Sequence, residues 1–309
     1  VSIKVGLAPG QWAWAGGGLA FLRFVDACEE LGFDSLWLSD RVVSPQMSLE
    51  PLTALAAAAA RTRHLKLGTS VLALAIRNPV LLAKELATID FIAAGRLFPA
   101  VGLGGEDDRE YEAAGVRKVE RAGRTDEAIG LLRRLWSEDG VTHQGRFYTL
   151  TNVTIRPRPS ASLPIWIGGR SAPAWRRVAR LGDGWLASSV TPDEVAQGIA
   201  AIRAELPVHA RHIEDDHYGV MLSVYVAASA EAAQSRAFAP AGRLRTDVPV
   251  DSYAALGSPD DINRRVGEYV AAGASKFVLR LACPEAEAHD QLARLAESVL
   301  APLNASVHA

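Results

Sequence analysis

The chain is poor in several things that would mark a specialised protein. Among its 309 residues there are two cysteines, Cys28 and Cys283, and two methionines. Two isolated cysteines make neither a disulfide framework nor a metal-binding spacing. Charge of one sign is also missing: the formal net charge is −2, which gives nucleic acid or an anionic membrane no electrostatic reason to bind. No apolar run is long enough to cross a bilayer, since the alanine-rich stretch "PLTALAAAAARTRHL" is broken by Arg61 and Arg63. The opening "VSIKVGLAPGQ" has neither the basic start nor the apolar core of a signal peptide. The cytoplasm is the expected location.

What is present is a rhythm. Short β-branched runs alternate with amphipathic helical stretches. The runs are "SIKVGLA" (2–8), "SLWLS" (35–39), "LKLGTSVL" (65–72), "RLFPAVGLG" (96–104), "PIWIGG" (164–169), "GWLASSV" (184–190), "YGVMLSVYVA" (218–227) and "SKFVLRLA" (275–282). In the helical stretch from Asn78, the asparagine suits the cap, Pro79 the first turn and Gly95 the stop; Ser258, Pro259 and Gly273 repeat that logic. Eight strands alternating with helices predict an α/β fold, a (β/α)8 TIM barrel of one domain over 1–309, with an open doubly wound sheet as the structural alternative. Two segments break the rhythm: 138–159 reads as a short hairpin excursion before strand five, and 234–257 as a lid insertion after strand seven.

Barrels build their sites at the C-terminal ends of the strands. That rule assigns Lys4, Lys66 and Lys276, all at strand starts, to the stability face, and leaves no lysine placed for Schiff-base chemistry. No HxH, HExxH or GxSxG motif is present, and no catalytic metal is expected. At the productive ends stand Trp12 and Trp14 after strand one, Asp40 and Arg41 after strand two, and Ser70 on strand three. "VGLGGEDD", containing Gly102, Leu103, Gly104 and Glu106, follows strand four, and Gly168, Gly169, Arg170 and Ser171 follow strand five. Ser188 ends strand six and Arg280 lies within strand eight. Backbone donors, hydroxyls and aromatic faces outnumber acids and bases here, which suits a large planar phosphorylated cofactor that carries its own chemistry. Bare glycine amides and the helix start at Ser171 favour an anion, Arg170 adds a charged fork, and Ser188 sits on the neighbouring strand end. A tight strand-to-helix turn explains the same glycines. The GxGxxG spacing of a dinucleotide fold is not met. Asp40–Arg41 reads either as catalytic or as a salt bridge sealing the mouth.

An ordered series of segments resembles the luciferase-like monooxygenase family: "LGFDSLWLSDR", "LKLGTSVL", "RNPVLLAKELATIDFIAAGRL", "VGLGGEDDREYEAAGV", "RTDEAIGLLRRLW", "RPRPSASLPIWIGG", "RLGDGWL" and "GSPDDINRRVGEYVAAGASKFVLR". The resemblance implies a (β/α)8 barrel and a cofactor that is coenzyme F420, favoured by "GTSVL" followed by "RNP", or reduced FMN. It implies that Gly168, Gly169 and Ser188 contact the cofactor phosphate, that Asp40 meets the ring or its polar edge, and that Gly102, Leu103 and Gly104 lie along it. It also implies a cis peptide between Ser70 and Val71 behind the ring, a small-molecule substrate, and a homodimer. Where the family often carries histidine after the strand-two aspartate, this chain has Arg41. A guanidinium stabilises an anion but shuttles protons poorly, so Glu106 or water is the expected proton source. Trp12, Trp14 and Arg280 are the expected substrate-pocket residues. The competing readings are a non-catalytic flavin- or F420-binding barrel and a phosphosugar isomerase or aldolase on the same fold.

Overall fold

A computed structural model describes residues 2–159, 161–237 and 245–302. In chain order the strands are β1 (Lys4–Ala8), β2 (Ser35–Leu38), β3 (Lys66–Thr69), β4 (Leu72–Ala73), β5 (Leu97–Phe98), β6 (Ala100–Gly102), β7 (Val141–Gln144), β8 (Thr149–Val153), β9 (Trp166–Gly168), β10 (Gly184–Ser188), β11 (Tyr218–Val226), β12 (Ala254–Gly257) and β13 (Lys276–Leu281). The principal helices are α1 (Gly17–Glu30), α2 (Pro51–Arg61), α3 (Pro79–Ala93), α4 (Asp108–Ala113), α5 (Arg121–Ser137), α6 (Ala172–Leu181), α7 (Pro192–Glu205), α8 (Ala230–Arg236), α9 (Pro259–Ala271) and α10 (Ala288–Leu295).

Parallel pairing runs β1–β2, β2–β3 and β3–β5, resumes as β4–β6, β6–β9, β9–β10 and β10–β11, and returns through β11–β13 and β13–β1. β3 and β4 are halves of one strand parted at Ser70–Val71. β5 and β6 are halves of another parted at Pro99, which has no N–H to give a ladder. The sheet therefore curls through eight strand positions and comes back to β1. β7 and β8 form a separate antiparallel pair, and β12 adds to the far end of β11. Part of the segment expected to be a lid, 238–244, lies outside the described residues.

Period-2 alternation sorts each strand into two faces. On β13, Phe277, Leu279 and Leu281 face the helices and join the large outer core, while Val278 belongs to a second cluster inside the barrel. That inner cluster holds two tryptophans, Trp37 and Trp166, with ring centroids 6.3 Å apart. Their bulk is accommodated by glycine across the pleat: a Cβ on Gly68 would fall 2.4 Å from Trp37, and one on Gly184 2.5 Å from Trp166. Above the filled centre, at the strand C-termini, a cavity opens.

The helix signals read from sequence act as expected. Asn78 accepts hydrogen bonds from the amides of Val80 and Leu81, and Ser258 forms a capping box with Asp261. At the end of α3 the left-handed turn begins one residue before the expected glycine, at Ala94, and continues in Gly95. Among the described residues no helix is long and apolar enough to cross a membrane.

Candidate active site

A cavity of about 780 Å³ opens at the C-terminal ends of the strands. Trp37 forms its base, Trp12 and Trp14 one wall, and residues Val43–Leu49 of the loop after β2 another. Of the residues singled out from sequence, Trp12, Trp14, Asp40, Arg41, Ser70, Val71, Gly104, Glu106, Ser188 and Arg280 line it. Gly102, Leu103, Gly168, Gly169, Arg170 and Ser171 do not line this cavity. Trp12 and Trp14 are held edge to face, centroids 5.4 Å apart, and the Trp12 indole donates to the Cys283 carbonyl at 2.8 Å.

Asp40 is committed to the protein itself. Its Oδ1 accepts from Arg77 Nη2 at 2.9 Å, and Oδ2 accepts from the Ala73 amide at 3.0 Å and from Arg77 Nε at 3.1 Å. The carboxylate is almost fully buried, and Arg77 reaches on to Glu50, the cap of α2. This fork ties the end of β2 to β4. Between β3 and β4 the Ser70–Val71 peptide is cis. The Val71 side chain points between two glycines: a Cβ on Gly102 would lie 2.6 Å from its Cγ2, and one on Gly168 2.8 Å from its Cγ1. Both glycines thus have a packing reason, Val71, that sequence reading did not see. Ser39 Oγ sits 3.3 Å from the Ser70 carbonyl and 3.4 Å from its hydroxyl.

The glycine-rich loop after β6 is braced by Tyr111, whose hydroxyl lies 2.8 Å from the carbonyls of both Leu103 and Gly105. Arg121 donates to the Gly105 carbonyl at 3.0 Å and to Glu106 at 2.7 Å. That bond to Arg121, helped by Lys118, holds the Glu106 carboxyl below its ordinary range. It is an ionised group on the rim, 69% exposed, and a pKa held this way makes it both a poor proton donor and a weak base. Asp107 caps α4 and is pulled down to about 2 by its bond to Arg109.

Two guanidinium groups face the cavity. Arg280 is buried on β13, its Nη2 3.4 Å from Ser39 Oγ, beside the Met221 sulfur. Burial, reinforced by the charge of Arg41, pulls its pKa down to about 10, so it stays protonated at neutral pH. Arg41 is an exposed residue of the loop after β2.

Across the mouth, β9 and β10 end side by side, Leu186 in register with Gly168. Gly169 has φ +119°, a left-handed conformation that glycine adopts without penalty. Its carbonyl accepts from Trp185 Nε1 at 2.7 Å, which anchors the turn. Ser171 precedes α6 and makes no side-chain cap bond, so its hydroxyl leaves the amides of that helix start unused. Arg170 donates to the Ser189 carbonyl at 2.7 Å, and Arg245 does so at 3.1 Å while also gripping Glu194. Arg245 was missed from sequence because it lies in the insertion after β11, and Arg77 because its partner Asp40 is 37 positions away.

A parallel barrel that is packed solid at its centre and hollow at the C-terminal ends of its strands has the plan of barrel enzymes that hold a small molecule there. The model of the luciferase-like monooxygenase family matches residues 9–241, and the chain belongs to that family. An F420-dependent glucose-6-phosphate dehydrogenase of Amycolatopsis mediterranei is 28% identical over 92% of this chain and 94% of that protein. A second, from Kineococcus radiotolerans, is 34% identical over 60% of this chain, a match that spans 57% of the relative's length. The structure of an F420-dependent secondary alcohol dehydrogenase in complex with an F420-acetone adduct superimposes with a TM-score of 0.82 at 18% identity, covering 97% of this chain and 99% of that one. At that identity the likeness speaks for the fold.

Proposed function

We propose that this protein is an oxidoreductase that takes coenzyme F420, or alternatively FMN, and acts on a small organic substrate. The observation that carries the reading is the state of the cavity's own acids. Each carboxylate lining it, Asp40, Glu106 and Asp107, is bonded to a cation, and no histidine lines it among the described residues. A pocket equipped with serines, indoles and guanidinium groups fits a reaction whose chemistry is brought in by a cofactor. The group also fits in size: about 780 Å³ is ample for a tricyclic ring with a substrate beside it, and the Ser188 hydroxyl on the lining is a donor for a phosphate, with the amides of Gly168–Ser171 at the neighbouring strand end just outside it.

When bound, F420 supplies hydride exchange at its C5 carbon, whereas reduced FMN supplies oxygen activation. The chain's own residues position and shield. Gly168, Gly169, Arg170, Ser171 and Ser188 hold the phosphate. Gly102, Leu103 and Gly104 run alongside the ring, with Gly104 on the cavity lining itself, and Ser70 and Val71 back it. Asp40 acts as a positioning residue, through Ala73 and Arg77. Arg41 stabilises negative charge, Glu106 is held on the rim by Arg121, and a proton, where the reaction needs one, comes by way of water. Trp12 and Trp14 exclude water. A homodimer is part of this reading.

The test is titration of the purified chain with F420 and with FMN by fluorescence, followed by turnover with alcohols, aldehydes and enones. Binding of one cofactor with turnover is the expected result. Binding without turnover leaves the non-catalytic barrel, and binding of neither removes the reading.

A further inference from the structure

Strand β10 is used on both of its faces. On the inner face Leu186 joins the cluster at the barrel centre and Ser188 lines the cavity. On the outer face Trp185 is fully buried beneath the helices. Its indole meets Trp175 of α6 edge to face, centroids 6.4 Å apart, and a Cβ on Gly198 of α7 would fall 2.4 Å from it. Glycine is the poorest helix former after proline, so its place inside α7 reads as room for that ring. From this socket Trp185 Nε1 donates to the Gly169 carbonyl at 2.7 Å. The carbonyls that end the adjoining strand are drawn off in the same way. Ser189 O accepts from Arg170 at 2.7 Å and Arg245 at 3.1 Å, and Val190 O accepts from the Tyr269 hydroxyl at 2.5 Å.

We infer that Trp185 is a positioning residue for the cofactor phosphate: its N–H holds the Gly169 carbonyl toward the helix layer, so that the amide of the same peptide, that of Arg170, is presented on the opposite side. The Gly169–Arg170 peptide is trans, and in a planar trans unit the C=O and N–H point in opposite directions, so fixing one end fixes the other. Gly169, at φ +119°, has the backbone freedom to turn that plane over, and the indole bond removes it. A carbonyl oxygen turned toward a phosphate would repel the charge that the amide attracts. The packing of the Trp185 ring is structural; its N–H is what acts on the anion. The inference rests on the proposed phosphate site at Gly168–Ser171 and Ser188, and adds to it a residue that does not touch the cofactor.

The experiment titrates the full chain by fluorescence and reads the affinity ratio of phosphorylated to unphosphorylated cofactor, FMN over riboflavin and F420 over its deazariboflavin fragment. Trp185→Phe keeps a ring in the socket but loses the N–H. In it the preference for the phosphorylated member falls roughly threefold or more, the worth of one hydrogen bond, while affinity for the unphosphorylated member holds. A merely structural role would lower both members together. Trp175→Phe is the control: it thins the same packing, and its buried Nε1 has no partner among the described residues, so the ratio stays at the parent value. Should Trp185→Phe not fold, Gly198→Ala carries the same reading, because it displaces the indole without removing it. An unchanged ratio in Trp185→Phe, or an equal fall in Trp175→Phe, would overturn the inference and leave the phosphate site standing. No preference within either pair in the parent chain removes the phosphate site itself, and the role of Trp185 with it.

Discussion

Strand β2 carries an aspartate just outside each end, and the two show how one barrel serves two purposes. At the N-terminal end Asp34 meets Lys66 at 3.2 Å and forms a tighter pair with Lys276, a lysine that is buried inside the barrel. At the C-terminal end Asp40 meets Arg77. Burial alone would raise the Asp34 pKa, but Lys276 and Lys66 outweigh it and hold it below the ordinary value. Below, acid and base close the barrel against each other over a bed of tryptophan. Above, Asp40 is turned aside to Arg77, and Arg41 and Arg280 remain facing the cavity. A closed cluster of ion pairs on one end and an open cavity on the other separate the stability face from the working face.

The sharpest challenge to that contrast is Asp34→Asn. It strands the buried Lys276 charge, and removing one partner of a buried pair typically costs about 3–5 kcal/mol. Denaturant unfolding should show that loss with little change in cofactor affinity. Asp40→Asn should cost somewhat less, about 2–3 kcal/mol, because Arg77 keeps Glu50 as a partner. Unlike the first variant, it should weaken cofactor binding, since Asp40 fixes the Ala73 amide beside the cavity.

A steric test follows. Gly102→Ala puts a methyl group 2.6 Å from Val71, and overpacking of this kind costs about 1–3 kcal/mol. Adding Val71→Ala should restore much of the loss, and a double-mutant cycle measures that coupling. Additive losses would show that Gly102 is small for another reason. The pH dependence probes the closed end again. Burial, against the opposing pull of Asp34, lowers the Lys276 pKa from 10.5 to about 8. The unfolded chain then binds more protons than the folded one between those two values, so the lysine's contribution to stability rises as pH climbs through that window. Substituting Lys276 by methionine should abolish the rise. The smallest effect belongs to Glu106→Gln: an exposed carboxylate paired on the rim, its loss should change stability by no more than about 0.5 kcal/mol.

How much of this was legible beforehand depended on the range of the interaction. Strands and caps are local, so the alternation of apolar runs located all eight barrel positions, and Asn78 and Ser258 announced their helices. Lys66 and Lys276 were rightly assigned to the stability face by their places at strand starts. Long-range geometry was not legible. Nothing near Asp40 names Arg77, and the glycines at 102 and 168, read as room for a cofactor, also make room for Val71. The break in strand three at Ser70–Val71 came from family resemblance, since neither residue type signals a cis peptide. The break at Pro99 was available in the residue itself and was passed over because the apolar run continues on both sides.

The central claim is that the amides of the turn at Gly168–Ser171, with the Ser188 hydroxyl, hold the phosphate of a ring-bearing cofactor. Paired titrations test it directly: FMN against riboflavin, and F420 against its dephosphorylated deazariboflavin fragment, on the parent chain and on Ser188→Ala. The phosphate-bearing member of each pair should bind roughly tenfold or more tightly, with the advantage reduced in the variant. Equal affinity within both pairs, unchanged by Ser188→Ala, would contradict it.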